Sequence, residues 1–141
     1  MTDPGDTFSA PQEISPVGVL AGLRVLIAED TWHTATVTRQ TVERAGGIVV
    51  GVASTLAEAE RLAEAERLAA TGCSCVVMDL NLNGQMGHEL AGRLARQGMK
   101  VVVVSGYTRP VDLDPQIHAF LEKPSPADKL LQALAAPRLV P

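Results

Sequence analysis

The chain of 141 residues has the length of one domain, which typically runs to about 100–200 residues, so no second large catalytic or DNA-binding domain is expected. Apolar residues make up 46%, enough for a core, but the only aromatics are Phe8, Trp32, Tyr107 and Phe120, so Val, Leu and Ala must fill it. Twelve basic against sixteen acidic side chains give a net charge of −4 without a Lys/Arg cluster, which argues against a nucleic-acid partner or an anionic membrane surface.

The start, Met1-Thr2-Asp3-Pro4-Gly5-Asp6, is acidic where a secretory signal would be basic. No apolar run approaches the roughly 20 residues that span a bilayer, so the expected location is cytoplasmic. Residues 1–20 carry Pro4, Pro11 and Pro16 without an apolar period and read as a disordered N-terminal tail. The domain is expected over 21–136, followed by a C-terminal tail of 137–141.

From Leu23 short β-rich runs alternate with helical stretches. The runs are 24–28, 48–52, 75–78, 101–104 and 119–122. The first predicted helix, 31–45, stops at Gly46-Gly47; the second, 55–70, at Gly72; the third, 87–97, at Gly98. Thr55-Leu56-Ala57-Glu58 is a capping-box pattern. That second helix also contains a tandem repeat, 57–62 recurring as 63–68. A six-residue step turns about 600°, so Leu56, Leu62 and Leu68 point three ways, and the repeat reads as an extension of an Ala-rich helix. Cys73 and Cys75 would share a strand face with Cα atoms about 6.6 Å apart, near the upper limit for a disulfide, and both are expected as buried thiols. Pro110 and Pro115 crowd the span 106–118, so a helix there is short or missing. That span is expected to be loosely held. A last helix is predicted over 126–136.

Alternating strands and helices imply a parallel, doubly wound sheet, because each parallel pair needs a right-handed crossover. In a five-stranded sheet of order 2-1-3-4-5, chemistry belongs at the carboxyl ends of the strands. Those ends carry Glu29-Asp30, Asp79, Ser105-Gly106 and Lys123-Pro124. Two unit charges about 5 Å apart repel by roughly 3 kcal/mol at an effective dielectric of about 20, so three clustered carboxylates call for a cation. An oxygen-only set favours Mg²⁺. One carboxylate could then act as a nucleophile toward phosphorus while the hydroxyl and ammonium neutralise the phosphoryl oxygens.

Four segments, 25–30, 76–84, 103–107 and 120–124, resemble the response-regulator receiver domains of two-component signalling, and the Ser105-Gly106-Tyr107 run resembles a branch carrying Phe-Ala-Thr-Gly-Tyr. The resemblance covers about 23–136 and implies a flavodoxin-like fold. It makes Asp79 the phosphoacceptor, and Asp30, Asp79 and the Asn81 carbonyl the Mg²⁺ ligands, with Glu29 acting through a metal-bound water. Ser105 and Lys123 would hold phosphoryl oxygens. Phe120 matches the switch aromatic that moves with Ser105, and Asn81 and Tyr107 match positions that tune dephosphorylation. The implied role is a phosphoacceptor signalling domain rather than an enzyme with its own substrate. It would be a single-domain regulator that receives phosphate from a histidine kinase or histidine phosphotransfer protein and acts on a downstream protein, or serves as a phosphorelay member or sink. The alternative is a haloacid-dehalogenase-like phosphatase, but that family places an Asp-x-Asp pair at the first strand, where this chain has Glu29-Asp30. A flavin-binding module is disfavoured because the loop after the first strand lacks a glycine- and hydroxyl-rich phosphate cradle.

Overall fold

The computed structural model describes residues 18–69 and 75–138. Strands β1 (Arg24–Ala28), β2 (Ile48–Ala53), β3 (Cys75–Met78), β6 (Lys100–Ser105) and β7 (Ala119–Glu122) form one parallel sheet of order β2-β1-β3-β6-β7. This is the expected 2-1-3-4-5 topology, with its switch point between β1 and β3. Every residue of β3 is buried, and Val25 to Ala28 and Val101 to Val103 are nearly inaccessible, as expected of strands covered on both faces. Two-residue strands β4 (Asn81–Leu82) and β5 (Gln85–Met86) make a small antiparallel hairpin.

Helices α1 (Trp32–Arg44), α2 (Leu56–Leu68), α3 (His88–Arg96) and α4 (Ala127–Ala135) complete the fold, with α1 packed beside α4 and α2 beside α3. The glycine stop after α1 has a definite geometry. Gly46, at φ 91°, donates to the Glu43 carbonyl, and Gly47 donates to that of Val42. These two bonds are the Schellman pair that satisfies a helix's last carbonyls. Thr55 caps α2 as its sequence predicts, its hydroxyl accepting from the Glu58 amide at 3.1 Å. The repeat gives α2 no leucine stripe: Ala59 and Ala63 are buried while Leu68 is exposed. Its register is set by polar ties, a bidentate Arg24–Glu66 pair to β1 and Arg93–Glu60 to α3.

Residues 106–118 contain no helix, as the two prolines imply. They are nonetheless better anchored than expected. Leu113 and Ile117 are buried in the core, His118 donates to the Val101 carbonyl, and Asp114 accepts from the Gln116 amide and pairs with Arg96 of α3. Two apolar side chains thus replace a helical face, and the exposed residues are 106–109, Val111, Asp112 and Pro115.

Leu20, placed by sequence in the tail, is buried at 2% exposure and donates its amide to the Ala45 carbonyl, so the core begins at least there. Residues 1–17 of that tail, Cys73 and the terminal residues 139–141 lie outside the described residues; Cys75 is buried.

Candidate functional site

The sheet ladder itself places the chemical groups. Just past each strand, the Glu29 amide donates to the Ala53 carbonyl, Asp79 to Ala28 and Lys123 to Ser105, all within 2.7–2.9 Å. Pairing therefore continues one residue beyond the strand ends, and the side chains emerge on one rim at fixed spacing.

Carboxylate oxygens of Glu29, Asp30 and Asp79 lie within 4.8 Å of one another. The Lys123 ammonium bridges two of these groups, donating to Asp79 Oδ2 at 2.8 Å and to Glu29 Oε1 at 3.1 Å. Each carboxylate also accepts one backbone N–H: Glu29 Oε2 from Thr31, Asp79 Oδ1 from Asn81, and Asp30 Oδ2 from Asn83 at 2.7 Å. Asp30 is therefore not a cap of α1, whose N-cap is Thr31. An open cleft of about 550 Å³ is lined by Asp30, Asp79, Asn81, Gly84, Gly106, Tyr107 and Lys123.

Burial pushes the Glu29 carboxyl above its usual range, against the Thr31 amide and Lys123, which favour its anion. For Lys123, burial alone would lower the ammonium's pKa, but hydrogen bonds and charge from Asp79 and Glu29 outweigh it and leave the group above normal. Three carboxylates against one ammonium leave a local charge of −3 + 1 = −2. An all-oxygen, doubly negative cleft open to water fits a hard divalent cation such as Mg²⁺; Glu29, Asp30, Asp79 and the Asn81 carbonyl are the groups that would hold it.

The remaining predicted residues occupy the flank of this rim. Ser105 is fully buried, and its hydroxyl accepts from the Tyr107 amide at 3.0 Å. Tyr107 is 59% exposed at the cleft mouth. Phe120 is half-buried in β7 opposite Val103, packed on the core and outside the cleft lining. Sequence reasoning did not assign a role to Asn83, whose amide holds Asp30. The dipeptide Asn83-Gly84 between Leu82 and Gln85 is a strong two-residue hairpin signal that could have exposed it.

The response regulator receiver domain family model matches residues 25–135. No curated protein matches the sequence. Among solved structures, the signal receiver domain of a modulated diguanylate cyclase from Desulfovibrio desulfuricans G20 is 27% identical, with TM-score 0.64 and coverage of 79% of this chain and 89% of that one. A CheY-like response regulator receiver domain protein from Methanospirillum hungatei JF-1 is 26% identical, with TM-score 0.64 and coverage of 78% and 88%. A response regulator protein from Burkholderia pseudomallei, solved with a phosphorylated aspartic acid, calcium ion and citrate, is 25% identical, with TM-score 0.65 and coverage of 79% and 66%. Because the family match runs from the second residue of β1 to the last of α4, it spans the whole sheet and the rim that carries the carboxylates, and the chain belongs to the response regulator receiver domain family of two-component signalling.

Proposed function

We propose that Asp79 accepts a phosphoryl group from the phosphohistidine of a histidine kinase or histidine phosphotransfer protein in a Mg²⁺-dependent reaction. The single observation that carries this reading is the position of Asp79, 2.8 Å from the Lys123 ammonium and within one 4.8 Å cluster with Glu29 and Asp30. The phosphorylated aspartate named for the Burkholderia pseudomallei relative supports it. An Asp79 carboxylate oxygen forms the new O–P bond as the donor's N–P bond breaks, and the imidazole leaves. Mg²⁺ bound by Asp30, Asp79 and the Asn81 carbonyl, with Glu29 acting through a metal-bound water, would supply charge neutralisation for the phosphoryl oxygens.

Lys123 holds Asp79 in place before transfer and pairs with a phosphoryl oxygen after it. Ser105 hydrogen-bonds another oxygen once its hydroxyl turns from the Tyr107 amide. Movement of Ser105 frees space next to β7, and Phe120 and Tyr107 respond, so the switch lies on the face of 106–118 and β7. The output is contact with a downstream protein or onward relay of the phosphate, in a cytoplasmic setting.

The test is incubation of the full chain with an acyl phosphate and Mg²⁺, followed by intact mass. Wild type should gain one phosphate that hydroxylamine removes, and Asp79→Asn none. Equal labelling of the variant, or steady hydrolysis of phosphate esters by wild type, would overturn the assignment.

A further inference from the structure

We propose that Asn83 is a positioning residue: it holds the Asp30 carboxylate in the orientation that a divalent cation requires. This inference rests on the cation site proposed above.

Glu29 and Asp79 are both gripped by Lys123, whereas Asp30, among the described residues, has the Asn83 amide as its hydrogen-bond partner. A half-exposed aspartate with one such tie depends on where that amide is placed. Asn83 is the one non-glycine residue with positive φ among those described, at 54°, and Gly84 follows at 85°. With Leu82 paired to Gln85, these two residues form the two-residue loop of a type I′ hairpin, which needs positive φ at both positions and favours Asn-Gly.

The side chain makes a second, independent connection. Asn83 Nδ2 donates to the Ser54 carbonyl at 3.2 Å. Ser54 is itself fixed, because its amide donates to Glu58 Oε1 while the Glu58 amide donates to the Thr55 hydroxyl. A continuous path therefore runs from the start of α2, through Ser54 and Asn83, to Asp30 Oδ2, leaving Oδ1 for a cation. Partners that orient a metal ligand typically alter affinity by about 10–100-fold when removed.

Mg²⁺ demands near-ideal octahedral geometry, whereas Ca²⁺ accepts flexible coordination. Loss of orientation should therefore weaken Mg²⁺ more than Ca²⁺, and loss of stability alone would not discriminate between them. The experiment titrates the full chain with each cation. Binding is read from emission of Trp32, the only tryptophan, 79% exposed and two residues beyond Asp30, and separately from melting temperature.

Asn83→Gly keeps the positive φ and the amide but deletes the bond to Ser54. It should weaken Mg²⁺ about tenfold and Ca²⁺ about twofold or less. Asn83→Ala, which also strains the turn, should do more. Unchanged Mg²⁺ affinity in Asn83→Gly, or an equal loss for both cations, would overturn the role of Asn83. If wild type binds neither cation, the cation site falls and this inference with it. If wild type binds Mg²⁺ and labels at Asp79 while Asn83→Gly binds as wild type does, only the role of Asn83 falls.

Discussion

Lys123 is the residue on which the charge balance of the site turns. It sits between Glu29, 6% exposed, and Asp79, and its own side chain is 29% exposed. Removing one partner of a fully buried pair costs about 3–5 kcal/mol. The partial exposure here lets water take up some of the freed charge, so Lys123→Met should lose about 1–3 kcal/mol in urea unfolding with a chelator present. The loss should shrink when Mg²⁺ is added at one concentration to both proteins, since the variant's site carries one positive charge fewer, binds the cation more tightly and so gains more from a ligand that binds the native state alone. A variant as stable as wild type in chelator would mean that the three carboxylates do not repel as their spacing implies. Glu29, Asp79 and Lys123 were legible in the sequence because each directly follows a short β-rich run, and Asp30 because it stands next to Glu29. The Asn83-Gly84 pair signals a hairpin, but the tie from Asn83 to Asp30 was not legible, because it is made by a backbone amide, which every residue but proline carries.

Elements were legible to the extent that their signal is periodic or punctuated. Glycines marked the ends of α1 and α3: after α3, Gly98 and Met99 donate to Ala95 and Leu94 as Gly46 and Gly47 do after α1. The β4–β5 hairpin escaped notice because two-residue strands give no alternation to count. The anchoring of 106–118 escaped because Leu113 and Ile117 stand singly among prolines and polar residues, with no period to reveal that they reach the core. This segment also comes close to α3 at Gly92, where an added Cβ would lie 3.1 Å from Asp114 Oδ2 and 3.2 Å from its Cβ. Ala normally improves on Gly in a helix interior by about 1 kcal/mol. Here Asp114 is tied to Arg96 and to the Gln116 amide and has little freedom to retreat. Gly92→Ala should therefore show no gain in stability, and hydrogen exchange should speed up at 113–118 while the sheet stays protected. A stabilised variant with unchanged exchange would show that the contact is soft.

Across the described residues the sheet separates two poles of charge: carboxylates at the carboxyl ends of the strands, and at the opposite end basic groups meeting the C-terminal ends of α3 and α4. There Lys100 Nζ donates to the Leu134 carbonyl at 2.6 Å, His118 Nε2 lies 2.9 Å from that of Ala133, and Arg138 bonds the Met99 and Ala95 carbonyls. Cations suit a helix C-terminus, yet burial first, and then Lys100 and Arg138, hold the His118 pKa below its ordinary value of 6.5 against the favourable pull of the Ala133 carbonyl. The imidazolium is thus disfavoured in the folded state, so the unfolded chain binds more protons as pH falls below 6.5, and stability is lost on acidification through that window. Glu29 works in the opposite sense: its raised pKa means that stability is lost as pH rises from 4.5 through the folded value. The two contributions oppose each other in mildly acidic solution, so a wild-type profile alone would not separate them. His118→Gln preserves a donor for the Ala133 carbonyl and cannot charge. Between pH 7.5 and 5.5 the melting temperature of wild type should fall relative to that of His118→Gln, with Glu29 common to both and cancelling in the difference. Parallel curves over that range would show that the folded and unfolded states hold the His118 proton equally and that the basic pole serves only to terminate α4.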